Sequence, residues 1–251
     1  MISDVLILTR VDNNFVRHRQ RGHRIVSAVV LAAGSSKRLG RLKQLARLEG
    51  RPLLERTLEA VRRSKVDQVI VVIGDEASEV RRKVDLSRFI VVVNNSFKEG
   101  MSTSIKLGLS ALDRRAAAAL IVLADQPFLS ASLIDGIVEL FQKSEALIVA
   151  PTYGGVQGNP VLISRRLFSE VSAISGDIGA KALLGRHSAD LLEYPVEPEL
   201  LIDIDTPRDL AIARKILKKA SHSPGRRFSR GTPRPQRRSQ ARGVPRSAHL
   251  A

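Results

Sequence analysis

The chain has 251 residues, 43% of them apolar, and a formal net charge of +16 at pH 7. That length suits one large α/β domain or two small ones, and the apolar fraction is ordinary for a folded core. Cysteine is absent, which excludes disulfides, thiolate zinc sites, iron–sulfur clusters and cysteine nucleophiles. The histidines, at 18, 23, 187, 222 and 249, are scattered, so any metal is expected to be a hard cation held by carboxylate and phosphate oxygens.

Residues 1–24 carry five arginines against two aspartates and hold one short apolar run, Val5–Leu8. They read as a poorly ordered extension. From Ile25 the pattern changes. Ile25–Ala33, Val69–Gly74, Phe89–Asn95, Ala118–Asp125, Ala146–Pro151 and Pro160–Ser164 are near-continuous apolar, β-branched runs, as expected of strands buried on both faces. Helices are expected between and after them at Leu53–Ser64, Ser102–Leu112, Ser130–Lys143, Ile178–Leu184 and Pro207–Lys219. Ser130 is placed to cap the third of these, and Thr206-Pro207 with Asp209 reads as a cap, a first-turn proline and a capping acid. Such alternation specifies crossover units and a mainly parallel sheet covered by helices. Residues 221–251 hold eight arginines and no acid. Rich in Pro, Gly and Ser, they are expected to be a disordered tail. Most of the charge excess therefore lies outside residues 25–220, the expected folded domain. No apolar run reaches the roughly 18 residues of a membrane span, and no secretory signal is evident, so a cytoplasmic protein is expected.

Ligands of open parallel sheets gather at the carboxyl ends of strands, which directs attention to Leu31–Leu45, LAAGSSKRLGRLKQL. Gly34 lets the backbone turn tightly against a ligand, successive N–H groups can bind phosphate oxygens, Ser35 and Ser36 add hydroxyls, and Lys37, Arg38 and Lys43 add cations. Two familiar phosphate loops do not fit. Gly40 is followed by Arg41 and Leu42 rather than by the Walker lysine and hydroxyl. Gly34 and Gly40 also stand too far apart for the dinucleotide fingerprint.

Leu31-Ala32-Ala33-Gly34 with Arg38, Gly40 and Lys43 resembles the signature of the nucleotidyltransferases related to the molybdenum-cofactor enzymes. Further matches follow in order: Gly100-Met101-Ser102 with Ser104, Asp125-Gln126-Pro127, Gly158-Asn159-Pro160, Gly176-Asp177-Ile178-Gly179-Ala180, and Asp203-Ile204-Asp205-Thr206-Pro207 with Asp209. The resemblance implies a Rossmann-like three-layer α/β nucleotidyltransferase fold with a mainly parallel sheet, binding a nucleoside triphosphate with magnesium. It further implies transfer of CMP or GMP to the phosphate of molybdopterin, with release of pyrophosphate. Ala33 stands where the guanylyl branch often has glycine, so the resemblance favours CTP. Asn159 stands where the family more often has histidine, which leaves the acceptor open.

Under this reading Lys43 and Arg38 hold the triphosphate and stabilise the departing pyrophosphate. Leu31, Ala32, Ala33, Gly34, Ser35, Ser36, Gly74, Ser102 and Ser104 contribute to nucleotide binding. Asp125, at the end of an apolar strand, is the expected magnesium ligand. In LLIDID, alternation would put Asp203 and Asp205 on one face as further ligands, with helix initiation the competing role for Asp205. Gly158, Asn159, Pro160 and Asp177 are candidates for the acceptor, and a molybdenum hydroxylase is a candidate client. The alternatives are a sugar or polyol phosphate acceptor, and a non-catalytic carrier of a nucleotide-containing cofactor. Nucleic acid is expected only as a non-specific partner of the basic tail, whose one aromatic, Phe228, offers little stacking.

Overall fold

The computed structural model describes residues 22–34, 42–74, 76–177, 179 and 182–221. The tail from 222 and the leader up to 21, like Ser35, Ser36, Lys37, Arg38 and Gly40 of the first loop, lie outside the described residues.

In chain order the elements are β1 (Val26–Ala32), the short hairpin β2 (Arg47–Leu48) and β3 (Arg51–Pro52), α1 (Leu53–Arg63), β4 (Gln68–Ile73), α2 (Ala77–Lys83), β5 (Ile90–Val93), α3 (Met101–Ser110), β6 (Ala118–Leu123) and α4 (Ala131–Gln142). There follow β7 (Ile148–Tyr153), β8 (Val156–Gln157), β9 (Val161–Ser164), α5 (Phe168–Ala173), α6 (Ala182–Arg186), β10 (Leu191–Pro195) and α7 (Pro207–Ser221). The sheet runs β10-β7-β9-β6-β1-β4-β5, with β8 paired to β7. Pairings of β1 with β4 and β6, of β4 with β5 and of β10 with β7 are parallel, while β9 runs antiparallel between β6 and β7.

Every residue of β1 is buried, which is why its sequence shows no polar alternation. One sheet face packs Val26, Val30, Val71 and Leu120 against Leu54, Leu58 and Val61 of α1, Val80 of α2 and Ile134, Ile137 and Phe141 of α4. The other packs Val29, Ile70, Val72 and Ile121 against Ile105 of α3 and Val171 of α5. A third, smaller cluster joins Leu48 and Leu53 at the hairpin with Phe128, Ile204 and Leu210 and Ala213 of α7. The expected helix–sheet–helix layering is present. No helix among the described residues is long and apolar enough to cross a membrane.

Six elements have no counterpart in the sequence reading: the two-residue strands β2, β3 and β8, and α2, α5 and β10. In α2 only Val80 is buried, so a helical apolar period has nothing to register on. In α5 the only buried residue is Val171. In β10, an edge strand, only Leu191 and Leu192 are buried, too short a run to stand out. His23 and Arg24, assigned by sequence to the leader, are tied to the body. The His23 ring bonds the buried Asp67 carboxylate at 2.9 Å, and the Arg24 guanidinium lies 4.1 Å over Phe141 and donates to the Ser144 carbonyl at 2.8 Å.

Candidate active site

Because β1, β4, β5, β6 and β7 all point the same way, their carboxyl ends share one edge of the sheet. A cavity of about 520 Å³ opens there, within the size range of small-molecule sites. Its base is the end of β1, Leu31 to Gly34, and the end of β6, Leu123 to Asp125; Phe97 to Met101 and Ser104 form the opposite wall, and Asp177 and Asp205 lie at its margins.

Lys43 follows the first loop in a 3-10 turn, Lys43–Leu45. Its ammonium is shared by two carboxylates, Asp125 Oδ2 and Asp205 Oδ1, the latter at 2.5 Å. Burial alone would lower the ammonium's pKa, but the attraction of Asp125 and then Asp205 outweighs it and holds Lys43 above the usual lysine value. The group is charged at any physiological pH. Asp125 Oδ1 is buried without a hydrogen-bond partner, a position that a hard cation or a ligand donor would satisfy.

Backbone contacts bring these side chains together. Ile204 N–H donates to the Asp125 carbonyl at 3.0 Å, which sets Asp205 beside Asp125 across 80 residues of sequence. The competing helix-initiation role belongs to other residues: the Asp209 carboxylate accepts from Thr206 N–H at 2.7 Å and Asp205 N–H at 3.1 Å, while Thr206 Oγ1 accepts from Asp209 N–H at 3.2 Å. That reciprocal cap spends only the Asp205 backbone, and its carboxylate turns to Lys43. Residues 202–205 belong to no strand or helix, so no sheet pairing enforces the expected alternation there. Asp203 is not among the residues lining the cavity.

The wall opposite Lys43 is built around α3. Asn94, buried at the end of β5, donates to Ser104 Oγ at 2.8 Å and Thr103 Oγ1 at 2.9 Å. Gly100 precedes α3 with φ of 113°, and a Cβ there would lie 2.2 Å from the Gly176 carbonyl carbon. The close approach lets the Gly176 carbonyl accept from Ser102 N–H at 3.2 Å and the Asp177 carboxylate accept from Met101 N–H at 3.3 Å. Ser104 and Asp177 thus reach the cavity. Ser102 is buried beneath the turn and is not part of the lining.

Other expected positions serve the frame. Gly74 is outside the lining; a Cβ on it would meet the Ala33 carbonyl oxygen at 2.8 Å, so the glycine lets β4 end against the first loop. Gly158, Asn159 and Pro160 are also outside the lining. Gly158 packs under Leu201, and the Asn159 carbonyl accepts from Gln126 Nε2 at 3.2 Å, a tie that steadies the turn after Asp125. Sequence reasoning missed Gln44, Phe97, Lys98 and Glu99, all of which line the cavity. Gln44 is buried, and its Nε2 donates to the Ala32 carbonyl at 2.6 Å and the Gly34 carbonyl at 3.3 Å. The sequence carried no signal for it beyond its place next to Lys43.

Residues 28–191 match the profile of the MobA-like NTP transferase domain. The chain belongs to this family. Its members act on a nucleoside triphosphate and a phosphorylated acceptor and use divalent metals, and this chain is a nucleotidyltransferase of the MobA-like type. Among relatives, nicotine blue oxidoreductase of Paenarthrobacter nicotinovorans is 32% identical over 168 residues, covering 63% of this chain and 81% of that protein. The molybdenum cofactor cytidylyltransferase of Escherichia coli (strain K12) is 23% identical over 197 residues, covering 76% and 96%. Rv0371c of Mycobacterium tuberculosis H37Rv superposes with a TM-score of 0.69 at 30% identity, covering 76% of this chain and 98% of that one. The same protein has been solved in complex with manganese.

Proposed function

We propose that this MobA-like transferase moves CMP from CTP to the phosphate of molybdopterin, releasing pyrophosphate, with magnesium as its cation. The observation that carries the reading is the Lys43 ammonium held between Asp125 and Asp205 at the mouth of the first loop. Two carboxylates and one unsatisfied buried oxygen suit a divalent cation. The described lining has four carboxylates, Glu99, Asp125, Asp177 and Asp205, against the ammonium groups of Lys43 and Lys98, so a triphosphate is better accommodated together with a cation than alone. Asp125 and Asp205 would hold the magnesium, which when bound neutralises the phosphates and polarises the α-phosphorus. The manganese complex of Rv0371c is consistent with such a cation.

An oxygen of the acceptor phosphate attacks the α-phosphorus, the bond to the bridging oxygen of the β-phosphate breaks, and pyrophosphate departs. Lys43 and Arg38 stabilise the charge on that leaving group. The nucleophile is already ionised at neutral pH, so no general base is needed. His23 and His187 are engaged elsewhere, by Asp67 and Glu170. In this reading Gly34 and Ser104, which line the cavity, would contact the nucleotide, and Asp177, also in the lining, is the candidate for the acceptor. Ala33 favours cytosine, while the relatives include both cytidylyl- and guanylyltransferases.

The test is pyrophosphate release measured with each of the four triphosphates, molybdopterin or a sugar or polyol phosphate, and magnesium or manganese. CTP with molybdopterin should be the productive pair, and Asp125→Ala should lower turnover at least about a hundredfold. Full activity in that variant refutes the role of Asp125, and turnover only with a sugar phosphate replaces the acceptor. The relative named as an oxidoreductase motivates a second reading, redox chemistry at the same cavity. An arm with a reduced nicotinamide dinucleotide as hydride donor and an added dye as electron acceptor separates the two.

A further inference from the structure

We propose that Lys43 couples metal binding to nucleotide binding: its ammonium occupies the cation's position between Asp125 and Asp205 until a triphosphate draws it away. The inference rests on the nucleotide and metal site proposed above and adds an order of events to it.

Three observations carry it. The ammonium touches both carboxylates that would ligate the cation. A divalent ion of magnesium's size needs those oxygens at about 2.0–2.1 Å, so ammonium and cation cannot share the position. Asp125 Oδ1 remains buried and unpartnered beside them, which means the ammonium leaves coordinating capacity that a second charge would use. The turn that carries Lys43 is pinned, because the side chain of Gln44 is bonded to the Ala32 and Gly34 carbonyls. Exchange therefore proceeds by rotation of the flexible lysine stem, with the backbone of the turn stationary.

The charges make the two binding events mutually dependent. Without a triphosphate, a cation entering between Asp125 and Asp205 must displace the ammonium from a half-buried ion pair with no anion to receive it. With a triphosphate present, the ammonium moves from carboxylate to phosphate oxygens and the cation takes its place, so every charge keeps a partner. Linkage requires the effect to be reciprocal, with metal tightening nucleotide as much as nucleotide tightens metal. In this account Lys43 is a positioning residue for the cation before it is a ligand of the phosphates.

The test is equilibrium binding of Mn²⁺ to the full chain, read by electron paramagnetic resonance of the free ion, with and without the non-transferable analogue α,β-methylene-CTP. After correction for metal bound by the analogue itself, the wild type should bind Mn²⁺ about tenfold more tightly in its presence, a typical coupling between sites. Lys43→Met should bind Mn²⁺ about tenfold more tightly than wild type without the analogue and lose most of the coupling. Lys43→Gln, matched to wild type by thermal unfolding, should behave as Lys43→Met does and guards against a packing artefact. If Asp125→Asn abolishes Mn²⁺ binding while both Lys43 variants bind no more tightly than wild type, the coupling is refuted and the metal site stands. Should Asp125→Asn leave Mn²⁺ binding intact, the site itself is wrong and the coupling fails with it.

Discussion

Gln44 shows how much one side chain can set in place. Its amide satisfies the Ala32 carbonyl, and it holds the Lys43 turn against the end of β1. Replacement by alanine strands that buried acceptor at a cost of about 1–3 kcal/mol and loosens the lysine. The expected outcome for Gln44→Ala is a lower melting temperature and a KM for the triphosphate raised more than kcat is lowered. Steady-state kinetics beside thermal unfolding measures both. An unchanged KM would confine Gln44 to a structural role. The Asp125, Lys43 and Gly34 positions were legible in the sequence because each stands at a strand end or in a loop of distinctive composition. Gln44 was not, since nothing in a sequence distinguishes a buried amide from a solvated one.

At the scale of elements, the helices adjoining the cavity are fixed by contacts that allow little change. Gly108 of α3 lies against β1, where a Cβ would sit 2.2 Å from Val29 Cγ1. Gly108→Ala must push α3 away from the sheet, an overpacking change of about 1–3 kcal/mol, and shift Ser104 at the cavity with it. Reduced melting temperature together with weaker nucleotide binding is expected; loss of stability alone would mean α3 does not position the site.

For α7 the Thr206–Asp209 cap can be tested by pH. Asp209 titrates below the usual aspartate value, chiefly through the Thr206 hydroxyl; burial opposes the shift, and the Thr206 and Asp205 N–H groups add to it. A depressed folded-state pKa gives stability that is complete above the ordinary aspartate range and lost as pH falls through the folded value. Asp209→Ala should therefore melt lower than wild type at neutral pH, by an amount set by a cap of about 1 kcal/mol, and the difference should close on acidification. A gap that persists in strong acid would assign the loss to something other than the carboxylate. Sequence anticipated this cap because Thr, Pro and Asp stand at their preferred helix positions. It missed α2, α5 and β10, whose few buried residues leave no period to detect.

Over the whole molecule, the strands inside the sheet were readable from apolar runs, and the direction of β9 was not. Its four residues, Val161–Ser164, are all buried, and burial on both faces looks the same whether a neighbour runs parallel or antiparallel. Spacing also could not reveal that Gly158 to Pro160 brace the Asp125 turn and stay out of the cavity, because that depends on how Leu201 and Gln126 pack around them. The last helix ends at Ser221, and its buried anchors, Leu210 and Ala213, come well before that point. Removal of residues 222–251 should leave the melting temperature and pyrophosphate release unchanged while weakening any salt-sensitive binding of RNA. Lost turnover in the truncated chain would give the basic tail a part in the reaction.

The contact of Gly100 with the turn at Gly176 links segments 76 residues apart and leaves no space for a methyl group at position 100. One segment begins the helix behind Ser104, and the other presents Asp177. In a hybrid assembled from two relatives and joined anywhere between them, the wall facing the first loop would be made of halves selected against different neighbours. If the incoming first half brought any side chain at position 100, the seam would open and displace both Ser104 and Asp177 while β1, Lys43 and Asp125 kept their places. Such a hybrid should keep its Lys43–Asp125 pair and loosen its hold on whatever that wall selects, so specificity is transferable only when both sides of the seam travel together.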